Sequence, residues 1–180
     1  MKDILIKEVM IPVSNYVTIK ENNTLYEVFQ ILEENKKDNT RHAHRDAIVV
    51  NGKGEFVGKV TMIDIFRVLE PNYKKLIKNY KDGTLTKEYV MKAVKDFNLW
   101  REPMYDLCQR GFGLMVSDVM HIPEDHEYVR EDDSLEQALH KYVMDVHQPL
   151  IVKKEDEITG VLRFGDLFEI IRKAMLACPI

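Results

Sequence analysis

Apolar positions along this chain fall into short patterns that occur twice in the same order. Leu25, Val28, Phe29 and Leu32 keep an i, i+3, i+4, i+7 spacing after Thr24, with Glu27 three residues beyond it as a capping box requires. This predicts an amphipathic helix with a defined start. Leu135, Ala138, Leu139 and Tyr142 repeat the spacing after Ser134, with Gln137 standing where Glu27 stands in the first copy. Downstream of each helix comes a β-type run, Ala47–Val50 or Leu150–Val152, and a polar turn, Asn51–Gly54 or Lys153–Asp156. A further strand follows, Glu55–Thr61 or Glu157–Leu162, holding Gly58 or Gly160, and each copy closes with a helix, Ile63–Leu69 or Gly165–Ala174. Pro71 ends the first of these.

The repeat extends upstream as well, because Glu8-Val9-Met10-Ile11-Pro12 returns as Asp118-Val119-Met120-His121-Ile122-Pro123. Thr24 and Ser134 share the 110-position offset of Met10 and Met120, whereas Gly58 and Gly160 are 102 apart. The first copy therefore carries eight extra residues, near Lys36–His44, as expected of a surface connection. The fold class that follows is α/β (α+β): two β-α-β-β-α repeats packed with pseudo-twofold symmetry and joined by a helical link. The expected divisions are residues 7–70, a link or insert over 71–116, and 117–175. Neither copy at this size buries much surface alone, so the two should pack together and leave a cleft between them. Within the link, Val90, Ala93, Val94 and Phe97 keep helical spacing after the cap residue Thr86. The cluster Trp100, Pro103, Tyr105 and Leu107 either seals the core or forms a docking surface, of which core packing is the commoner fate.

Composition narrows the function classes. The 180 residues are 45% hydrophobic and 31% charged, as in a globular protein, and the net charge of −4 argues against a nucleic-acid surface. Lys74, Lys75, Lys78 and Lys81 read as the solvated face of a helix. Cys108 and Cys178 are too few and too far apart for a disulfide framework or a zinc motif, which fits a reducing cytoplasm. No apolar run has the length of a membrane span or a leader, so neither a membrane nor an anchor is expected. No nucleophile-and-base pair is recognisable, and Gly111-Phe112-Gly113 lacks the rest of a phosphate loop, so no enzyme is expected. His42 and His44 would share a face of an extended segment, but His121, His126, His140 and His147 are scattered, so no metal is expected to be required.

The doubled opening and the junction Gly58-Lys59-Val60-Thr61-Met62-Ile63-Asp64 together resemble the CBS-domain family over about two thirds of the chain. That resemblance implies a tandem pair that binds an adenosine nucleotide between the copies (AMP, ADP or ATP, with S-adenosylmethionine as a further option) and regulates a partner protein the sequence does not identify. It also implies a homodimer. It carries ribose contacts over to Thr61 and Asp64, and the flat apolar walls for a base to Ile11, Pro12, Val13, Ile48 and Val60. On residue chemistry alone, Thr61 and Asp64 serve equally as a helix cap or as partners for sugar hydroxyls. The second copy departs from the pattern, with Arg163 in place of the Thr and Asp166 kept. Arg163 either pairs with Asp166 and fills that cleft or bonds a phosphate. From a different class, the alternative is a structural dimerisation module with no bound nucleotide.

Overall fold

Short runs of β-branched residues bounded by polar turns build two separate sheets, one for each copy of the repeat. The computed structural model describes residues 4–38, 44–79, 86–101 and 103–178. In the first lobe, β2 (Thr18–Lys20) lies parallel to β3 (Ala47–Val50), joined through helix α1 (Leu25–Asp38), and β3 pairs antiparallel with β4 (Phe56–Val60). In the second lobe, β5 (Tyr128–Arg130), α7 (Leu135–Val143), β6 (Leu150–Lys154) and β7 (Glu157–Leu162) repeat that arrangement. Helices α2 (Met62–Leu69) and α8 (Phe164–Ala177) close the two copies. The expected order strand, helix, strand, strand, helix is therefore present twice.

The opening segments do not stay in their own lobes. Strand β1 (Ile11–Pro12) pairs antiparallel with β7 of the second lobe, with Ile11 opposite Val161 and Pro12 opposite Gly160. Its counterpart, His121, forms a bridge with Lys59 of β4, through backbone bonds of 2.8 and 2.9 Å. A second quasi-equivalent couple, Leu5 with Ser134 and Met115 with Thr24, repeats the exchange. Each lobe's core accordingly includes residues of the other copy's opening: Ile6 joins Val129, Leu135, Leu150 and Leu162, while Val116 and Val119 join Ile19, Leu25, Val49 and Val60. Between the lobes, Tyr16, Ile48, Ile151 and Val161 form a smaller apolar seam. Burial of these side chains, at about 25 cal/mol per Å² of apolar surface, is what fastens the halves together.

The two helix starts differ more than their sequences suggest. Thr24 and Glu27 form the expected box, with the Thr24 N–H donating to Glu27 Oε2 at 2.7 Å and the Glu27 N–H to Thr24 Oγ1 at 3.3 Å. Ser134 is the N-cap of α7 but makes no side-chain cap bond, and the Gln137 N–H goes to the Ser134 carbonyl instead. The link is helical, as its pattern predicts, with α3 (Asn72–Asn79), α4 (Lys87–Asp96, capped by Thr86) and α5 (Met104–Phe112), and a short α6 (Val116–Val119) begins the second copy. Its aromatic cluster divides, since Leu107 is buried, Trp100 is partly exposed and hydrogen-bonds Tyr73, and Tyr105 is exposed. The strand registers place seven of the eight extra residues before β3 and one in the β3–β4 turn; the first of the seven extend α1, and residues 39–43, including His42, lie outside the described residues, as does Lys81.

Candidate functional site

Where β4 hands over to α2 the chain turns into the cleft between the lobes, and Thr61 sits at that turn as the N-cap of α2. Its hydroxyl is 2.6 Å from Asp64 Oδ2, its N–H donates to the same oxygen at 3.0 Å, and the Asp64 N–H returns a longer bond of 3.4 Å to Thr61 Oγ1. These bonds fix the Asp64 carboxylate, which is 5% exposed. Its other oxygen, Oδ1, faces His147 Nε2 at 3.1 Å and Arg67 Nη1 at 3.9 Å. Burial works against the charged form of Asp64, yet the hydrogen bonds from His147 and Thr61 outweigh it and hold the carboxyl below its ordinary range.

Beside this pair lies a second set of charges. Lys59, pointing from β4 into the seam, is completely buried. Its ammonium meets Glu127 Oε2 at 2.6 Å and donates to the carbonyls of His147 and Pro149 at 2.6 and 2.7 Å. Glu127 also accepts from the Glu124 N–H at 3.1 Å, and its Oε1 stands 2.6 Å from His121 Nε2. Burial depresses the Lys59 ammonium against the pull of Glu127, while bonds from Lys59, His121 and Glu124 hold Glu127 below the usual carboxylate range despite its burial. The rings of His121 and His147 stack at 4.1 Å with 20° between their planes. One lysine of the first lobe is thereby tied to three points of the second, and two imidazoles lie between two carboxylates. This cluster borders a cavity of about 640 Å³, with Thr61, Met62, Ile63 and Arg67 on one side and His121, Glu124, Glu127 and His147 on the other.

The quasi-equivalent junction in the second lobe is built differently. Arg163 forms a two-pronged pair with Asp166, Nε to Oδ2 at 2.6 Å and Nη2 to Oδ1 at 2.7 Å. Nearby the Tyr16 hydroxyl donates to Asp46, and burial pushes both of those groups up. Arg163 is thus paired with Asp166.

Of the residues predicted to line the base, Ile11, Pro12 and Val13 belong to the strand crossing that borders the second lobe's sheet, away from Thr61 and Asp64. Ile48 lies in the seam flanked by Ile11 and Val13, and Val60 is buried in the first lobe's core. Asp64 itself lies behind His147 rather than on the cavity wall. Sequence reasoning missed Lys59, Glu127 and His121 and treated His121 and His147 as scattered. The signal was present in the repeat, because the positions equivalent to Lys59, Glu127 and His121 are Val161, Val17 and Ile11. A buried strand position that changes from Val to Lys between copies marks a partner elsewhere.

Comparison with known proteins agrees with this architecture. The sequence model of the CBS domain matches residues 6–71 and 113–173. A CBS domain structure from a membrane protein of Sphaerobacter thermophilus is 20% identical, with 93% of this chain and 88% of that one covered at a TM-score of 0.57. CBSX2 in complex with AMP is 19% identical, covering 97% and 99% at a TM-score of 0.59. The CBS domain of a bacterial CNNM/CorC family Mg2+ transporter in complex with ATP is 18% identical, covering 95% and 89% at 0.57. No curated protein matches the chain in sequence.

Proposed function

This chain belongs to the CBS-domain family as a tandem pair, and from that premise we propose that it is a regulatory module taking an adenosine nucleotide in the cleft beside Thr61. In this reading it catalyses nothing itself, works in the cytoplasm and passes the ligand's presence to a partner protein through the relative orientation of the lobes. The observation that carries the reading is Thr61 on the wall of the 640 Å³ cavity, bonded to Asp64 just behind His147. The hydroxyl and carboxylate suit a ribose, and withdrawal of His147 gives the sugar access to Asp64. The AMP and ATP complexes of the two similar structures support the ligand class. The Arg163–Asp166 junction, already closed by its own ion pair, is the poorer site. Ile11, Pro12, Val13 and Ile48 border that second junction in this reading, and Val60 supports Thr61 from behind.

Replacing Asp64 by Ala should remove charge-assisted bonds of about 1.5–3 kcal/mol and weaken AMP or ATP binding about 10-fold or more. Titration calorimetry checks this, and equal affinity in wild type and Asp64→Ala would sink the ribose role. The alternative reading, a structural dimerisation module, draws on the closed Arg163–Asp166 pair and on the seal His147 places over Asp64. It is favoured if none of AMP, ADP, ATP or S-adenosylmethionine gives heat of binding.

A further inference from the structure

We infer that Asp64, His121 and His147 form a binding site for a divalent transition-metal ion of the zinc class, supported by Glu127. One nitrogen of each imidazole and one Asp64 oxygen all lie within 4.8 Å of one another. The closest couple, Asp64 Oδ1 and His147 Nε2, is separated by 3.1 Å, close to the roughly 3.3 Å between ligand atoms around a tetrahedral ion with bonds of about 2.0–2.1 Å. His121 completes the set by rotation of its side chain, its ligand nitrogen already lying within 4.8 Å of the other two atoms. Imidazole nitrogens with a carboxylate select zinc, cobalt or nickel over magnesium or calcium, which prefer oxygen donors.

The surroundings have the organisation that holds metal ligands in place. Thr61 occupies Asp64 Oδ2 through its hydroxyl and N–H, leaving Oδ1 directed at His147. Lys59 occupies Glu127 Oε2 at 2.6 Å, leaving Oε1 beside His121. His147 Nδ1 is buried without a hydrogen-bond partner and lies 3.9 Å from Glu127 Oε2. A metal on Nε2 fixes the proton on Nδ1, so that this N–H faces a carboxylate, the usual partner of a ligating histidine. Arg67, 3.9 Å from Asp64 and half exposed, is free to turn outward. A fourth position faces the 640 Å³ cavity and is open to water or to Glu127. The site is confined to this half of the molecule, since the residue matching His121 in the other half is Ile11, which has no ligand atom, although His44 matches His147.

The inference does not rest on nucleotide binding, although both draw on Asp64 and His147, and its test contains no nucleotide. The full chain, stripped with chelator, is titrated with Co2+ and with Zn2+ at micromolar concentration. The expected result is one-to-one binding, a visible ligand-field band of a tetrahedral Co2+ site, and loss of about 10-fold or more in affinity in His121→Ala and His147→Ala. Circular dichroism in chelator establishes that those variants are folded; if either is not, the near-isosteric Asp64→Asn replaces it and should weaken binding likewise. Failure of the wild type to bind either ion overturns the inference. So does binding that is unchanged in the folded variants, or displacement of Co2+ by an equal concentration of Mg2+.

Discussion

Lys59 is a long cation with none of its surface in contact with solvent, and its stability rests on Glu127 and two carbonyls. Desolvating two charges costs several kcal/mol per ion, so a buried pair is retained at little net gain but is costly to break from one side. The other half of this molecule has buried apolar residues, Val161 and Val17, at the matching positions. Lys59→Val alone should therefore lose about 3–5 kcal/mol of stability by leaving the buried Glu127 without its ammonium partner, and Glu127→Val should lose a similar amount. The double replacement Lys59→Val with Glu127→Val should lie close to wild type or above it. Urea unfolding of the three variants measures the coupling, and a Lys59→Val loss below about 1 kcal/mol would show that the pair is not the tether described. The cap residues carry a similar lesson: Thr24 closes its box, while Ser134, alike in sequence and in its backbone bridge, forms no side-chain cap.

At the scale of elements, the crossing of the two opening segments sets the geometry of both clefts, and it depends on two matching glycines. A Cβ on Gly58 would lie 2.8 Å from the His121 carbonyl oxygen, and one on Gly160 would lie 2.6 Å from Met10 Sδ and 3.0 Å from the Ile11 carbonyl. Only a residue without a side chain lets the foreign strand come this close. The two contacts differ in cost, because the Met10 side chain can swing aside while the His121 backbone is held by its bridge to Lys59. Gly58→Ala should therefore destabilise the protein by about 1–3 kcal/mol, a melting point lower by several degrees. Gly52→Ala, where a Cβ meets nothing within 4 Å, should stay within about 0.5 kcal/mol of wild type. Calorimetric melting of the two variants compares them directly, and equal melting points would remove the close approach as the reason for Gly58.

The whole molecule is less symmetric than its repeat. Helix α5 lies against α1 and α2 of the first lobe, with Phe112 beside Tyr26 at 4.7 Å between rings and Trp100 beside Phe66 at 6.0 Å. Around that contact Phe29, Phe66 and Phe112 remain about half exposed, next to an apolar hollow of about 410 Å³. On the second lobe, Val143, Met144, Phe168 and Leu176 are exposed at the end of α7 and along α8. Exposed apolar surface on this scale is usual at association sites. The homodimer that the family resemblance implies would cover part of it, and light scattering should then give twice the chain mass of 21.1 kDa. A mass of one chain across the micromolar range would end the dimer proposal. Among the described residues, no helix is long and apolar enough to cross a membrane.

Much of the fold was legible in the sequence because it is written in local periodicities and in their recurrence at offsets of 110 and 102. Helix stripes, β-branched runs, the Thr86 cap and the Thr61–Asp64 junction each depend on residues within a few positions of one another. Tertiary structure alone decided which opening strand entered which sheet. That exchange moved Ile11–Val13 to the far cleft and brought His121, Glu127 and His147 to Lys59 and Asp64, partners 60 to 90 positions away. Such pairings leave no periodic trace along the chain, because the free energy that selects them comes from burying two apolar faces and satisfying their charges at once.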